Sequence, residues 1–459
     1  MKKKIIAGMG KALKSLRFGW GGVGGVALIA LGLSAQAAIF DVDVLGYTLY
    51  TDPIHGGEIK LGGFSGLFPV PGDRSGTMFY TVTDRGPTQD FTVTNTSGTN
   101  IVITTHKVLP CTNLAPMIVK VQLLAGGKAQ VLGVIPLKKV TPNGVEFITG
   151  FPNGVELALE KFETPYYKKL TNDLDGLDPE GITIDNHGFF WICEEYRPSI
   201  AMIAPDGTVL LRLVPQGCLS GTETIPTYDI LPAVLVKRVN NRGMEGITYA
   251  RNGCLYGIMQ RPLANPNKAA SEASRNLRIV EVNLKSFLDG GPQPAVRQFI
   301  YLAELPDYPT NNAKIYASDI FALNPAIMLV PERKTDKLYA INISPATDIT
   351  PFETDDGKLI ADPTKTIEQL TAEQLAALGI QTVKKTAIVP SLIALHKELA
   401  KCEGVAVVGR TIVLTYDNDF NLGDFGGGPT IPGAIGLKFP DVYPALITTP
   451  LPEEIVFPE

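Results

Sequence analysis

The sequence predicts an all-β protein: a β-propeller in which five four-stranded blades are legible and a sixth has room. Three observations predict it. A short unit recurs along the chain, opening at a Glu-Gly or similar corner and running through an apolar strand, a turn, a second apolar strand and a polar end. Gly and Pro are abundant, at 46 and 35 residues, as befits many strands joined by many turns. Long amphipathic helical patterns are scarce: apolar residues recur at helical spacing only at 366–378 and 391–401, a pair that reads as a small helical insertion near 365–401 packed on the outside.

In chain order, the first element is a leader. Lys2, Lys3, Lys4, Lys11, Lys14 and Arg17 precede a Gly/Ala/Leu stretch at 21–35, and Ala35-Gln36-Ala37 closes it. A basic segment, an apolar stretch and a small-x-small site in that order read as a secretory signal peptide, residues 1–37, removed after Ala37. Its many glycines argue for removal over retention as an anchor. Losing those six cations takes the net charge from −5 to about −11, which disfavours nucleic acid and anionic membranes as partners. The remaining 38–459 contains no run of ~18 apolar residues and reads as a single periplasmic or secreted propeller domain. The strand at 40–50 can add to the last blade and lock the ring.

The repeated units follow. They read Ser65-Gly66-Leu67-Phe68 leading to 78–84, Glu180-Gly181-Ile182-Thr183 leading to 189–195, and Glu245-Gly246-Ile247-Thr248 leading to 255–260. A degenerate copy, Ser318-Asp319-Ile320-Phe321, leads to 327–332, and Glu403-Gly404-Val405-Ala406 leads to 411–417. Several strand exits carry an Arg: Asp84-Arg85-Gly86-Pro87, Glu195-Tyr196-Arg197-Pro198, Gln260-Arg261-Pro262 and Glu332-Arg333. Further strand pairs come after most exits, at 118–123 with 129–136, 200–204 with 208–214, and 279–284 with 295–302, across Gly-Gly and Asp-Gly turns in the first two. Four strands per unit at irregular spacing describe blades with loop insertions, the insertions falling at about 92–115 and 350–401. A sixth blade has room at 350–390. A four-stranded sheet buries neither face alone, so the units must stack and close. A β-sandwich would leave the repeated corner unexplained.

Five cysteines (Cys111, Cys193, Cys218, Cys254, Cys402) form no CxxC pair, and an odd count leaves at least one free thiol. The four histidines (His55, His106, His187, His396) make no ligand-like cluster, so neither zinc nor a Cys nucleophile is supported. No Gly-x-Ser-x-Gly elbow is present, which argues against a Ser-His-Asp hydrolase.

Taken in order, Ser65-Gly66-Leu67 with Thr83-Asp84-Arg85-Gly86-Pro87, Asp178-Pro179-Glu180-Gly181, Arg242-Gly243-Met244-Glu245-Gly246, Ser318-Asp319, Glu332-Arg333, Glu403-Gly404 and Asp417-Asn418-Asp419-Phe420 resemble the signatures of the phytase-like family, also called esterase-like activity of phytase. The resemblance spans about residues 45 to 420. It implies an extracytoplasmic propeller with many acids at its working face and phosphoester hydrolase activity. The chain departs from the pattern at its Ser-Asp fourth corner and at Gln260, where an acid is common.

In a propeller, inner-strand starts and the ends of the next strands lie near the central channel, so ring closure gathers residues distant in sequence. The corners offer Asp178, Glu180, Glu245, Asp319 and Glu403. The exits offer Asp84, Glu194, Glu195, Glu332, Asp417 and Asp419, with Arg85, Arg197, Arg261 and Arg333. Converging carboxylates repel unless a cation compensates them, and oxygen ligands in such numbers suit Ca²⁺. The expected metal ligands are Asp84, Asp319, Glu332, Glu403, Asp417 and Asp419; the expected catalytic and phosphoryl-binding residues are Glu180, Glu195, Glu245, Arg85, Arg261 and Arg333. The same residues admit an architectural role, the glutamates accepting backbone N–H bonds and the arginines bridging blades. Three classes stay open: a metal-assisted phosphoesterase acting on a small phosphorylated molecule, a non-catalytic propeller binding a ligand or protein partner, and an envelope scaffold.

Overall fold

Each blade begins on a strand that carries almost no charge, and these inner strands decide the architecture. The computed structural model describes residues 37–51, 57–97, 100–154, 162–164, 168–285, 287, 294–304, 316–422 and 442–452. Apart from Ala37, the predicted leader lies outside them.

Among the described residues the blades number five, the first and last being joined in one eight-stranded sheet. Blade 1 is Phe64–Pro69, Met78–Thr83, Met117–Leu124 and Lys128–Pro136. Blade 2 is Pro179–Ile184, Phe190–Glu194, Ser199–Ile203 and Val209–Pro215, with Thr227–Leu231 added in parallel at its edge. Blade 3 is Met244–Ala250, Cys254–Met259, Asn276–Asn283 and Ala295–Leu302, and blade 4 is Phe321–Ala322, Ile327–Glu332, Lys337–Asn342 and Lys384–Val389. Blade 5 is Cys402–Val408, Thr411–Tyr416 and Ala445–Pro450, completed by Ala38–Asp43 from the other end of the chain. That N-terminal strand also pairs in parallel with Lys128–Pro136 of blade 1, tying the last blade to the first. The propeller prediction and the closing role of the N-terminal strand both hold.

The ring closes through backbone proximity at the corner glycines. A Cβ on Gly66 would lie 2.8 Å from the Gly181 Cα, one on Gly181 3.0 Å from the Gly246 Cα, one on Gly246 2.5 Å from the Asp319 Cα, and one on Gly404 2.9 Å from the Gly66 carbonyl carbon. Gly, Gly, Gly, Asp and Gly thus line the axis, and a side chain is admitted only at blade 4. Threonines carry the linkage outward: Thr183 Oγ1 accepts from the Tyr249 N–H and Thr248 Oγ1 from the Ala322 N–H, each at 2.9 Å. Apolar faces fill the wedges between blades. Ile182, Ile192 and Ile203 pack with Val82 and Ile118 between blades 1 and 2, and Ile258, Ile279 and Tyr301 pack with Met328 and Val330 between blades 3 and 4. Trp191 and Leu255 meet between blades 2 and 3.

The room held for a sixth blade, 350–390, is filled differently. Its described residues give short 3₁₀ turns, a helix at Ala372–Ala377, and the strand Lys384–Val389, which is the outer strand of blade 4. The expected helices at 366–378 and 391–401 shrink to Ile367–Gln369, Ala372–Ala377 and Lys397–Lys401. Ile367, Leu370 and Leu375 pack with Ile300 of blade 3, and buried Arg278 ties the segment down by bonding Glu353 and Glu368. In blade 1 the hairpin Gln89–Ser97 with Asn100–Val108 is inserted between the second and third strands. All five cysteines are buried.

Candidate active site

A single backbone hydrogen bond, repeated in every blade, fixes which residues share the central face. The residue following the second strand donates its N–H to the carbonyl two positions before the corner: Asp84 to Gly63 (3.1 Å), Glu195 to Asp178 (3.0 Å), Gln260 to Gly243 (2.9 Å), Arg333 to Tyr316 (3.0 Å) and Asp417 to Lys401 (3.2 Å). The ladder defines three rings of equivalent positions. The exits are Asp84, Glu195, Gln260, Arg333 and Asp417. The corners are Ser65, Glu180, Glu245, Ser318 and Glu403. Two residues before each corner stand Gly63, Asp178, Gly243, Tyr316 and Lys401.

Glu180, Glu245 and Glu403 are each the extra residue of a β-bulge, since pairing jumps from Pro179 to Gly181, from Met244 to Gly246 and from Cys402 to Gly404. A bulged residue leaves the pleat alternation and is re-aimed. Here the bulge turns three glutamates onto the face while the following glycine allows the next blade to approach. The Glu-Gly corner therefore aims its first residue at the face and lets the next blade approach at its second.

Ligand atoms of Asp178, Glu180 and Glu195 all lie within 4.8 Å of one another. Burial, then Glu245, Asp178 and Glu195 beside it, raise the Glu180 carboxyl well above its usual range. Burial, then Asp417 and Asp178, raise Asp84 in the same way. Glu245 accepts from the Gln260 amide, and burial with Glu403 and Glu195 nearby pushes it up. Glu403 is raised to about 7, burial and Asp417 outweighing Arg333. One carboxylate oxygen each of Glu245 and Glu403 is buried without a hydrogen-bond partner among the described residues.

Three cations of this face, Arg85, Arg242 and Arg333, bridge blades, and Lys401 pairs within blade 5. Arg85 of blade 1 donates its backbone N–H to Asp178 Oδ1 at 3.0 Å and its guanidinium to Asp178 and Asn241, lying over the rings of Phe162 and Tyr196. Arg242 approaches Glu195 at 3.6 Å. Arg333 joins Glu403 and lies 3.6 Å from Glu245. Lys401 takes Asp417 at 2.8 Å and Asp419 at 2.7 Å. The loop that follows has positive φ at Asp419, Phe420 and Asn421 (47°, 53° and 60°). Three consecutive non-glycine residues in that region are strained and persist only where surrounding structure holds them. The Phe420 ring does so by filling the space a Cβ on Gly63 would need.

The geometry places several of the expected residues away from the acid trio. Asp319 occupies the glycine ring, and its carboxylate accepts the Ile320 and Val405 N–H groups, both at 2.8 Å. Glu332 precedes an exit position, and side chains alternate along a strand. It therefore points away from the face and accepts from Tyr301, Lys385 Nζ (2.6 Å) and the Glu304 N–H (3.2 Å). Glu194 does likewise, held by Asn153, Ser199 and the Arg197 N–H. Arg197, paired with Glu223 at 3.2 Å, leaves the site as well. Asp417 and Asp419 do sit at the rim, but the Lys401 ammonium already supplies their cation. The metal-like trio is instead Asp178 with Glu180 and Glu195, the latter two read from sequence as catalytic. Arg261 reaches the face beside Tyr316 (5.5 Å to the ring centroid), with no carboxylate partner among the described residues. Tyr316, Arg242 and Lys401 were not singled out from sequence as site residues; their positions two or three residues ahead of a corner are the signal that could have found them.

The donor set fits a hard divalent cation: several carboxylate oxygens, two of them orphaned, no sulfur, and too few resident positive charges to satisfy every acid. Among solved structures, the chain is similar to PhoX of Pseudomonas fluorescens in complex with vanadate, a transition-state analogue, at 10% identity over 90% of this chain and 94% of that one, with a TM-score of 0.35. It is also similar to virginiamycin B lyase from Staphylococcus aureus, at 12% identity over 84% and 95% of the two chains, with a TM-score of 0.29. At these scores the likeness says nothing about chemistry. A secreted protein of Arthroderma benhamiae is 29% identical over 123 residues, which span 24% of this chain and 24% of that protein. The phytase-like family model, described as esterase-like activity of phytase, matches residues 59–420, most of the chain and every blade corner. The chain belongs to the phytase-like family.

Proposed function

We propose that the protein is an exported phosphoester hydrolase acting on a small phosphorylated molecule at the acid face, with a hard divalent cation such as Ca²⁺ seated by Asp178, Glu180 and Glu195. The observation that carries the reading is the convergence of these three carboxylates within 4.8 Å, beside orphaned oxygens of Glu245 and Glu403. Such crowding is unfavourable unless cations or protons join it, and all-oxygen sites of this kind suit Ca²⁺. When bound, such a cation polarises a phosphoryl oxygen and acidifies bound water. The chain's own residues supply the rest. Arg85 and Arg242 hold Asp178 and Glu195 in place. Glu403, titrating at about 7, is poised to take or give a proton near neutrality. The secreted relative and the leader-like first 37 residues support export.

Calcium titration of the purified protein with a phosphomonoester assay tests this. The expected outcome is metal-dependent turnover that falls at least about a hundredfold in Glu180→Gln, or ~2.7 kcal/mol of transition-state stabilisation. Calcium binding without turnover would favour a ligand-binding propeller. Neither binding nor turnover would remove the reading.

A further inference from the structure

Arg261 is 4% exposed, and its guanidinium makes no hydrogen bond and no ion pair among the described residues, with Nε wholly buried. Every other arginine on this face has a carboxylate. A guanidinium nitrogen buried without a partner is unfavourable, and stacking on a tyrosine ring offsets only a small part of that. The ring concerned is Tyr316, and it gathers more than one cation. Arg242, Arg261 and Arg333 lie 5.4, 5.5 and 5.5 Å from its centroid, and Lys334 lies 5.9 Å away. Arg333 and Arg242 are partly neutralised by Glu403 and Glu195, so Arg261 and Lys334 carry the unbalanced charge. The Arg242 side chain is 32% exposed and Lys334 is exposed, so the cluster opens to solvent.

The ladder explains its origin. Tyr316 stands where the other blades have Gly63, Asp178, Gly243 and Lys401, and Arg261 and Lys334 each follow an exit residue. Blades 3 and 4 thus present a basic, aromatic-floored corner, and blade 2 the acidic trio.

We propose that Arg261, Arg242 and Lys334, arranged around Tyr316, form an anion subsite that takes a phosphate group. A guanidinium fork matches two phosphate oxygens, and the neighbouring side chains add charge. That the group belongs to a hydrolysable ester rests on the function proposed above; the binding of phosphate itself does not.

The test is calorimetric titration of inorganic phosphate into the full chain in EDTA, with melting temperatures measured in parallel. Wild type should bind one phosphate per chain. Arg261→Gln should weaken binding at least about tenfold, and Arg261→Lys by less, because it keeps charge and loses the fork. Lys397→Gln, remote and 84% exposed, should leave affinity unchanged and so separates the site from general charge. Without phosphate, Arg261→Gln should melt no lower than wild type, because a nitrogen buried without a partner has been removed. Unchanged phosphate affinity in Arg261→Gln would overturn the proposal, as would equal affinity for acetate or a fall in melting temperature in both Arg261 variants. Absence of phosphate binding in wild type would overturn it too, while leaving metal-dependent turnover, measured separately, to stand or fall alone.

Discussion

Arg85 and Arg261 look alike in sequence, since each follows a strand exit, yet their surroundings assign them opposite roles. Arg85 has a buried carboxylate, a side-chain amide and two aromatic faces around it, all from other parts of the ring. That is a staple between blades 1 and 2, which also fixes Asp178 in the acid trio. Replacing it by Lys keeps the charge but loses the planar fork and the stacking. Breaking the geometry of a pair this buried should lower stability by about 1–3 kcal/mol. Phosphate affinity per folded molecule should not change. Urea unfolding midpoints and phosphate titration of Arg85→Lys check this; an unchanged midpoint with weakened phosphate binding would return Arg85 to the ligand-binding set.

At the scale of the element, the corner shows what a repeat makes legible. Gly181, Gly246 and Gly404 could be found from sequence because the ring forces one small residue per blade at the same place, and the preceding Glu came with them. Pairing partners were not legible. Aligning the exits by their arginines matched Arg333 to Arg85, whereas the backbone ladder matches Arg333 to Asp84 and Lys334 to Arg85. Residue identity does not fix register; the hydrogen bonds do, and the bulge that shifts them leaves no mark of its own in composition. The same blindness placed Glu332 on the face, one residue out of phase. The glycine ring carries its own prediction. Gly246 has no positive φ, so Gly246→Ala probes space alone, and its new Cβ would meet the Asp319 backbone at 2.5 Å. Backbone cannot yield as a side-chain tip can, and overpacking should cost about 2 kcal/mol. Gly133→Ala, with nothing within 4 Å, should stay within about 0.5 kcal/mol of wild type. Equal melting temperatures for the two variants would mean that the blades do not touch at the corners.

For the molecule as a whole, the acid face predicts an unusual pH dependence of stability. Glu403 is raised to about 7, burial being the largest cause and Asp417 adding to it against Arg333. Its usual value is 4.5. Between that value and about 7 the folded protein therefore holds a proton that the unfolded chain has released. Stability then falls as pH rises through this window, and the whole penalty is in place above it. Asp175 and Asp417, held below the usual range against burial by Lys139 and Lys401, work the other way, losing their contribution only as pH falls below about 4. The metal-free protein should thus be most stable near pH 5 and melt lower at pH 8. A divalent cation substitutes for the missing protons, so its stabilisation should grow from pH 5 to pH 8. At a hundred times its dissociation constant it should reach about 2.7 kcal/mol. Melting curves at the two pH values, in EDTA and in excess calcium, measure all four corners of this cycle. If the EDTA sample melts higher at pH 8 than at pH 5, the carboxyls are not crowded as described. If that order holds but calcium shifts neither curve, the crowding is compensated by protons alone, and the acid trio is not a metal seat.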